Sequence, residues 1–247
     1  ENGVQDALSF DMGGTTAKLT LIDGLQPQYG RTFEVARAYR FLKGSGLPLR
    51  IPVIDMVEIG AGGGSIARVD ELKRINVGPN SVGSDPGPAC YAAGGTEPAV
   101  TDGDVVLGRI DPANFAGGKI VLDAAAAEKA VADNIAAALG MDTPTAAAGI
   151  AEIVDENMAS AARVHAVENG KDTAGRTLIA FGGAAPLHAA RLAEKLGIDR
   201  VIVPKGAGVG SAYGFLRAPI AYEVVRTRLV RLQTFEPHVL NELFAEM

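Results

Sequence analysis

The chain has 247 residues, of which 47% are hydrophobic and 21% charged, and it contains 31 Gly and 13 Pro. This composition excludes a disordered chain, and the net charge of −6 argues against binding to nucleic acid or to a membrane surface, since both reward basic patches. Cys90 has no second cysteine for a disulfide and no apolar run reaches the roughly 18 residues of a membrane span, so we expect a cytoplasmic protein. Because the chain begins Glu1-Asn2-Gly3 without Met, we also expect it to be a piece of a longer protein.

The first hundred residues predict a β-hairpin followed by long loops. Residues 7–10 and 17–22 read as short strands that flank a Gly-Gly turn. Residues 26–52 indicate a less regular, strand-rich segment. Residues 58–103 are so dense in Gly and Pro that they predict loops without regular helix, and loops of this size are usually functional.

After Val121 the pattern predicts alternating helices and strands. Asp123 caps a helix to Leu139, and Thr143 caps a longer one, with Pro144 in its first turn, that ends near Gly170. We then expect a strand at Thr177–Phe181, a helix at Pro186–Leu196, a strand at Arg200–Val203 and a helix at about 208–216. This order predicts an α/β fold in a domain at 1–220. Residues 221–247, strand-like from Val224 to Leu232, are expected to begin a truncated further element.

The sharpest motif is Phe10–Lys18, in which a strand delivers Asp11 to a glycine pair and two threonines. Glycines let backbone N–H groups approach an anion closely, hydroxyls add donors, and a carboxylate can hold a hydrated divalent cation. The motif therefore predicts phosphate bound by Gly13, Gly14, Thr15 and Thr16, with Asp11 on Mg²⁺. It is not a P-loop, because Gly-Lys-Ser/Thr leading into a helix is absent. The alternative is an ordinary Gly-Gly hairpin turn.

Two further motifs are weaker when taken singly. Gly182 and Gly183 follow a buried strand and precede a helix, a geometry that suits a ligand at the carboxyl end of the strand but also a close strand–helix turn. Small residues along Val203–Gly214 predict either a helix against a nucleotide or a tight helix crossing.

In this order, the three motifs resemble the nucleotide-binding half of the actin, sugar-kinase and heat-shock chaperone ATPase superfamily. The resemblance implies a ribonuclease H-like lobe with an insertion at about 26–110, and adenosine bound at Gly182 and Gly183. It also implies a nucleotide held between two lobes, of which this chain supplies one.

The middle of the chain narrows the resemblance to a family. Glu58–Ala67, Val77–Tyr91, Thr101-Asp102, Leu107-Gly-Arg109 and Phe181–Ala189 closely resemble the hydantoinase A/5-oxoprolinase family. The resemblance implies ATP- and Mg²⁺-dependent hydrolysis of a cyclic amide through a phosphorylated amide oxygen, in an oligomer with a hydantoinase B-like partner. Two alternatives stay open: a subunit of an ATP-dependent ketone carboxylase, and a non-catalytic assembly module.

The candidate site residues follow from the motifs and the resemblance together. Asp11 and Lys18 are the catalytic candidates, although Lys18 stands where the family commonly has an acidic residue, and Ala185 stands where glycine is commoner. The candidates for substrate contact are Gly62, Gly63, Gly64, Ser65, Asp85 and Asp102, and Asp104 is a further loop carboxylate that could face substrate or cation.

Four other residues are weighed by the chemistry of their neighbourhood. Cys90 is expected to be structural rather than nucleophilic, because no histidine lies near it in sequence. His188 lies in the first turn of a helix, either near phosphate or packed in the interior. Asp155 and Glu156 are expected to be solvated charges.

Overall fold

A computed structural model describes residues 3–36, 44–220, 222, 224–231, 233 and 236–247. The chain divides into two compact units, Glu1–Ser211 and Ala212–Met247. The predicted domain boundary at 220/221 stays a prediction.

The strands are β1 (Ala7–Met12), β2 (Ala17–Asp23), β3 (Gln26–Pro27), β4 (Tyr29–Gly30), β5 (Phe33–Val35), β6 (Leu47–Leu49), β7 (Val53–Ile54), β8 (Val57–Ile59), β9 (Ser65–Val69), β10 (Ile75–Ser81), β11 (Thr177–Phe181) and β12 (Arg200–Ile202). The α-helices are α1 (Val100–Val106), α2 (Ala124–Val131), α3 (Ala137–Leu139), α4 (Thr143–Glu168), α5 (Ala185–Leu196), α6 (Gly210–Arg217) and α7 (Pro237–Glu246). A π-helical turn at Ala132–Ala136 joins α2 to α3.

The central sheet has the strand order β12-β11-β1-β2-β3, and β8 also pairs with β2. β1, β11 and β12 are parallel, whereas β2 is antiparallel to β1. The predicted α/β fold and the predicted hairpin are therefore confirmed. Because β1 and β11 run in the same direction, the loops that follow them emerge at one edge of the sheet.

One face of this sheet forms the core with α4 and α5. Leu8 and Phe10 of β1 and Leu178 of β11 are fully buried there, and Ile150 and Met158 of α4 are buried with them. Burying an apolar side chain of this size stabilises the fold by about 1.5–3 kcal/mol. The core thus fixes the ends of β1 and β11, from which the candidate site is built.

The long helix begins one residue earlier than the sequence predicts. The Asp142 carboxylate accepts a hydrogen bond from the Thr145 N–H (2.7 Å), so Asp142 is the N-cap and Thr143 is already helical. Both residue types cap helices well, so the sequence alone could not choose between them. The cap at Asp123 is confirmed, because its side chain accepts a hydrogen bond from the Ala126 N–H (3.0 Å).

Two local predictions are wrong. Residues 58–103 are not all loop, because β8, the hairpin of β9 and β10 and the start of α1 lie within them. Residues 224–231 form no strand in the part of this segment that the structure describes. Leu232 and residues 37–43 of the strand-rich segment lie outside the described residues.

Candidate functional site

The turn between β1 and β2 presents free hydrogen-bond donors. Met12 pairs with Ala17 at the end of the hairpin, and the Gly13 N–H donates to the Thr16 carbonyl (3.1 Å). Gly14 and Thr15 are exposed. Within the described chain, their N–H groups have no protein acceptor. The turn can therefore offer backbone donors to an anion.

The bend after β11 touches this turn. The Gly182 N–H donates to the Ala207 carbonyl (2.8 Å), and the Ala184 N–H donates to the Met12 carbonyl (2.9 Å). Gly182 has φ +97°, and a Cβ there would lie 2.4 Å from the Met12 carbonyl oxygen and 2.5 Å from Asp11 Oδ1. Only glycine fits this contact. The structure thus brings together the two bends that the sequence separates by about 170 residues.

Asp11 is half-buried at the end of β1, and Ser211 fixes its side chain. The Ser211 hydroxyl donates to Asp11 Oδ2 (2.8 Å). This partner could not be predicted from the sequence, because Ser211 stands among small residues with no distinguishing pattern. At Gly210 the tight-packing interpretation of that motif fits, since a Cβ there would lie 2.9 Å from a Phe181 ring carbon.

A third loop, Gly60–Gly64, supports the turn from behind. The Gly63 N–H donates to the Gly13 carbonyl (3.0 Å), and the Gly64 N–H donates to the Gly14 carbonyl (2.6 Å). A Cβ at Gly62 would lie 2.5 Å from the Thr15 backbone nitrogen. The predicted contact of Gly62, Gly63, Gly64 and Ser65 with a substrate does not fit this arrangement, because all four are buried against protein.

Thr101 and Asp102, at the start of α1, hold the neighbouring loops. The Thr101 N–H and hydroxyl both donate to the Gly63 carbonyl, each at 2.8 Å. The buried Asp102 carboxylate accepts hydrogen bonds from the N–H groups of Ala89 (3.2 Å), Cys90 (2.8 Å) and Ala99 (2.8 Å). The predicted substrate contact of Asp102 therefore does not fit its position, since its oxygens already bind backbone.

The remaining candidates occupy three different environments. Asp85 is exposed in the loop after β10. Lys18 lies opposite Asp11 in the strand register, and its Nζ is 3.9 Å from Glu58 Oε1. Cys90 is fully buried, and burial together with the Asp102 charge raises the pKa of its thiol. A thiol in this state is a poor nucleophile, as the structural interpretation of Cys90 requires.

A buried charged cluster joins three helices behind the glycine loops. His188 Nδ1 of α5 lies 2.8 Å from Asp155 Oδ1 of α4, and His188 Nε2 lies 3.2 Å from Asp104 Oδ2 of α1. Arg109 also pairs with Asp104, at 3.1 Å. Burial lowers the pKa of His188, but its interactions with the two carboxylates outweigh this and raise the pKa to about 9.

The positions of Asp155 and Asp104 in this cluster differ from those that the sequence predicts. Asp155 was predicted to be solvated, yet it is fully buried because it lies on the apolar face of α4 and pairs with His188. Asp104 is buried as well and pairs with His188 and Arg109, so the predicted contact with a substrate or a metal cation does not fit its position. Of the two interpretations of His188, the packed interior residue is the observed one. Glu156 does reach the surface, where it pairs with Arg163 and Lys195.

A cavity of about 900 Å³ lies between the β4–β8 segment and the end of α4. Phe33, Met56 and Glu58 line it on one side, and Val164 and His165 on the other. None of the predicted substrate residues lines this cavity.

The residues around Asp11 fit a nucleotide phosphate with a hydrated cation. A Cβ at Gly13, Gly14 or Gly183 would meet no atom within 4 Å, so open space lies before both bends. No group of three or more His, Cys, Asp or Glu among the described residues is arranged to hold a metal ion. Magnesium is commonly bound through one or two carboxylates plus substrate phosphates, and Asp11 can supply such a carboxylate.

A sheet of this order, with two glycine bends joined at the carboxyl ends of parallel strands, defines the class of the protein as an actin-like ATPase fold. Two solved structures share it. A nucleotide-free structure of acetone carboxylase has a TM-score of 0.76 and 31% identity, over 86% of this chain and 29% of that one. ATP-dependent caprolactamase from Pseudomonas jessenii has a TM-score of 0.72 and 38% identity, over 86% of this chain and 29% of that one.

The family model for hydantoinase/oxoprolinase matches residues 1–224, and the chain belongs to this family, as its motifs predict. The caprolactamase alpha subunit of Pseudomonas jessenii is 38% identical over 93% of this chain and 32% of its own length. The acetophenone carboxylase gamma subunit of Aromatoleum aromaticum is 40% identical over 95% of this chain and 31% of its own. The chain spans about a third of the length of these curated relatives. None of the described helices has the length and hydropathy that a membrane crossing requires.

Proposed function

We propose that the chain is the nucleotide-binding part of an ATP-dependent, cytoplasmic hydrolase that opens a cyclic amide. The observation that carries the proposal is the contact of Gly182 with Met12 and Asp11. This contact joins the Gly13–Thr16 turn, which is the proposed phosphate site, to the bend at Gly182 and Gly183, which is the proposed adenosine site. The likeness to the ATP-dependent caprolactamase supports this reaction class.

The free backbone donors are the proposed phosphate contacts. The N–H groups of Gly14, Thr15 and Gly183, which have no protein acceptor among the described residues, would donate to phosphate oxygens. The hydroxyls of Thr15 and Thr16 would add two donors. The N-terminus of α5 adds a favourable partial positive charge beside Gly183, since no side chain caps it.

Asp11 is the proposed ligand of a hydrated Mg²⁺. Its Oδ2 accepts a hydrogen bond from the Ser211 hydroxyl. This bond fixes the carboxylate at the edge of the sheet and leaves Oδ1 beside Gly182. When bound, Mg-ATP would supply the phosphoryl group that converts an amide oxygen into a better leaving group. The chain's own contribution is positioning and charge stabilisation, as in other phosphoryl transfers.

Lys18 and Asp85 are the other proposed contacts. Lys18 lies on the same side of the hairpin as Asp11, and its 3.9 Å contact with the half-exposed Glu58 is weak enough to be exchanged for a phosphate. Asp85 is the exposed carboxylate among the predicted substrate residues, so we propose it for contact with the amide substrate.

A second candidate function is a subunit of an ATP-dependent ketone carboxylase. The structural likeness to acetone carboxylase favours it as directly as the other likeness favours the hydrolase. Since the relatives carry subunit names, we propose in either case an oligomer with a partner subunit, of hydantoinase B type for the hydrolase.

The test is phosphate release by the full-length protein with Mg-ATP and hydantoin, 5-oxoproline, or acetone plus bicarbonate. Asp11→Asn should abolish turnover, because it removes the charge proposed to hold the cation. Asp199→Asn is the matched control, since Asp199 is an exposed carboxylate at the opposite edge of the sheet. Wild-type turnover by Asp11→Asn would refute the assignment. Calorimetry that finds no Mg-ATP binding would leave the assembly module as the better account.

A further inference from the structure

Hydrogen bonds connect the Gly13–Thr16 turn to both the Gly60–Gly64 loop and the Gly182–Ala184 bend. The buried cluster of His188, Asp104 and Asp155 connects the helices that contact these segments. On one side, the Gly13 carbonyl accepts a hydrogen bond from the Gly63 N–H. The Gly63 carbonyl in turn accepts hydrogen bonds from the N–H and hydroxyl of Thr101, at the start of α1. On the other side, the Met12 carbonyl accepts from the Ala184 N–H at the start of α5. The two helices therefore flank the same turn.

His188 connects these two helices to each other. It lies one turn into α5, and Asp104 lies one turn into α1, so their 3.2 Å contact joins the helices just below the ends that hold the loops. Asp155 holds the other ring nitrogen from α4 (2.8 Å) and so fixes the plane of the imidazole. All three side chains are at least 98% buried, so none of them touches a ligand directly.

We infer that His188 is a positioning residue: by joining α1 to α5 it sets the spacing between the Gly60–Gly64 loop and the Gly182–Ala184 bend, and thereby the shape of the Gly13–Thr16 turn. A cation between two buried carboxylates suits this task, because the hydrogen bond to Asp155 is charge-assisted and the ion pair with Asp104 is shielded from solvent. The importance of the spacing for nucleotide binding rests on the proposed function, whereas the positioning itself does not.

The alternative is that the cluster only adds to global stability. The two accounts differ in which amide hydrogens become less protected when the cluster is weakened. Positioning predicts local opening at Gly63, Gly64, Gly182 and Ala184, whose N–H groups make the bonds between loops. A purely stabilising role predicts faster exchange across the whole core.

The experiment is hydrogen exchange with mass spectrometry on His188→Gln and Asp155→Asn, without nucleotide. Asp155→Asn keeps the side-chain shape and serves if His188→Gln does not fold. Thr173→Val is the matched control: the buried Thr173 hydroxyl donates to the Leu196 carbonyl (3.1 Å), so this variant weakens the opposite end of α5. Urea is added to bring the variants to the same unfolding free energy.

We expect exchange in peptides covering 60–66 and 182–187 to rise at least about tenfold in the cluster variants and not in Thr173→Val. Unchanged exchange there, or an equal rise in the control, would overturn the inference. A second measurement, the Kd of Mg-ATP, separates the two proposals: local opening in a protein that binds no Mg-ATP would support positioning while refuting the proposed function.

Discussion

Gly182 and Asp11 lie so close that a Cβ at position 182 would be 2.5 Å from the Asp11 carboxylate oxygen. The next glycine in the chain, Gly183, has open space where its Cβ would be. Two adjacent glycines of one motif thus have different reasons to be glycine. Gly182 is required by the contact between the bends, and Gly183 leaves room for something outside the chain.

Gly182→Ala should therefore destabilise the fold, whereas Gly183→Ala should not. We expect a loss of about 2–4 kcal/mol for Gly182→Ala, because the methyl group meets backbone and φ is +97°. Gly183→Ala should stay within about 1 kcal/mol of wild type. Urea unfolding of the two variants measures the difference, and equal losses would contradict the observed contact.

A second pair of glycines, Gly62 and Gly14, separates effects on stability from effects on nucleotide binding. Gly62→Ala places a methyl group 2.5 Å from the Thr15 nitrogen, so it should cost about 1–3 kcal/mol of stability and distort the turn. Gly14→Ala meets no atom within 4 Å, so it should fold normally but bind Mg-ATP more weakly if phosphate lies against its N–H. Unfolding curves and calorimetry test both, and tight nucleotide binding by Gly14→Ala would remove this residue from the phosphate site.

The charged cluster makes stability depend on pH in a defined direction. The pKa of His188 is raised from 6.5 to about 9 in the fold, with Asp104, Asp155 and the Arg109 that pairs with Asp104 around it. A raised pKa means that the folded state binds the proton more tightly. The resulting stabilisation is complete below about pH 6.5 and is lost as pH rises through about 9, a change of roughly 3 kcal/mol.

The measurement is urea unfolding of wild type and His188→Gln near pH 6 and above pH 9. The variant should lack the part of the pH dependence that this histidine supplies. Identical pH profiles for the two proteins would show that His188 does not carry the proton.

The order of the main elements is predictable from the sequence because their signals are local. The strand Thr177–Phe181 has the predicted bounds, because turn residues lie on both sides of it, and the two glycine bends carry recognisable motifs. That both bends contact one nucleotide is implied by the superfamily resemblance alone, and the parallel pairing of β1 with β11, which places them at one edge, is known only from the structure.

The sequence could not show which polar residues are buried. In the sequence Asp155 reads as a solvated charge and Asp102 as a loop carboxylate that could face a substrate, and only tertiary packing places His188 beside the first and backbone N–H groups beside the second. Such partners come from distant parts of the chain, and a single sequence holds no local signal for them. The burial of Gly62–Ser65 could not be predicted for the same reason, because glycines that pack against a second loop resemble glycines that face a ligand.

The hydrogen bond between Asp11 and Ser211 joins residues 200 positions apart. During synthesis, the hairpin that carries Asp11 leaves the ribosome long before its last partner. The Asp11 carboxylate can therefore reach its final geometry only after nearly all of Glu1–Ser211 has been synthesised. Contacts at such sequence separation also slow folding. A nascent chain that stops before residue 211 would contain the complete phosphate-type motif and yet lack the donor that orients it.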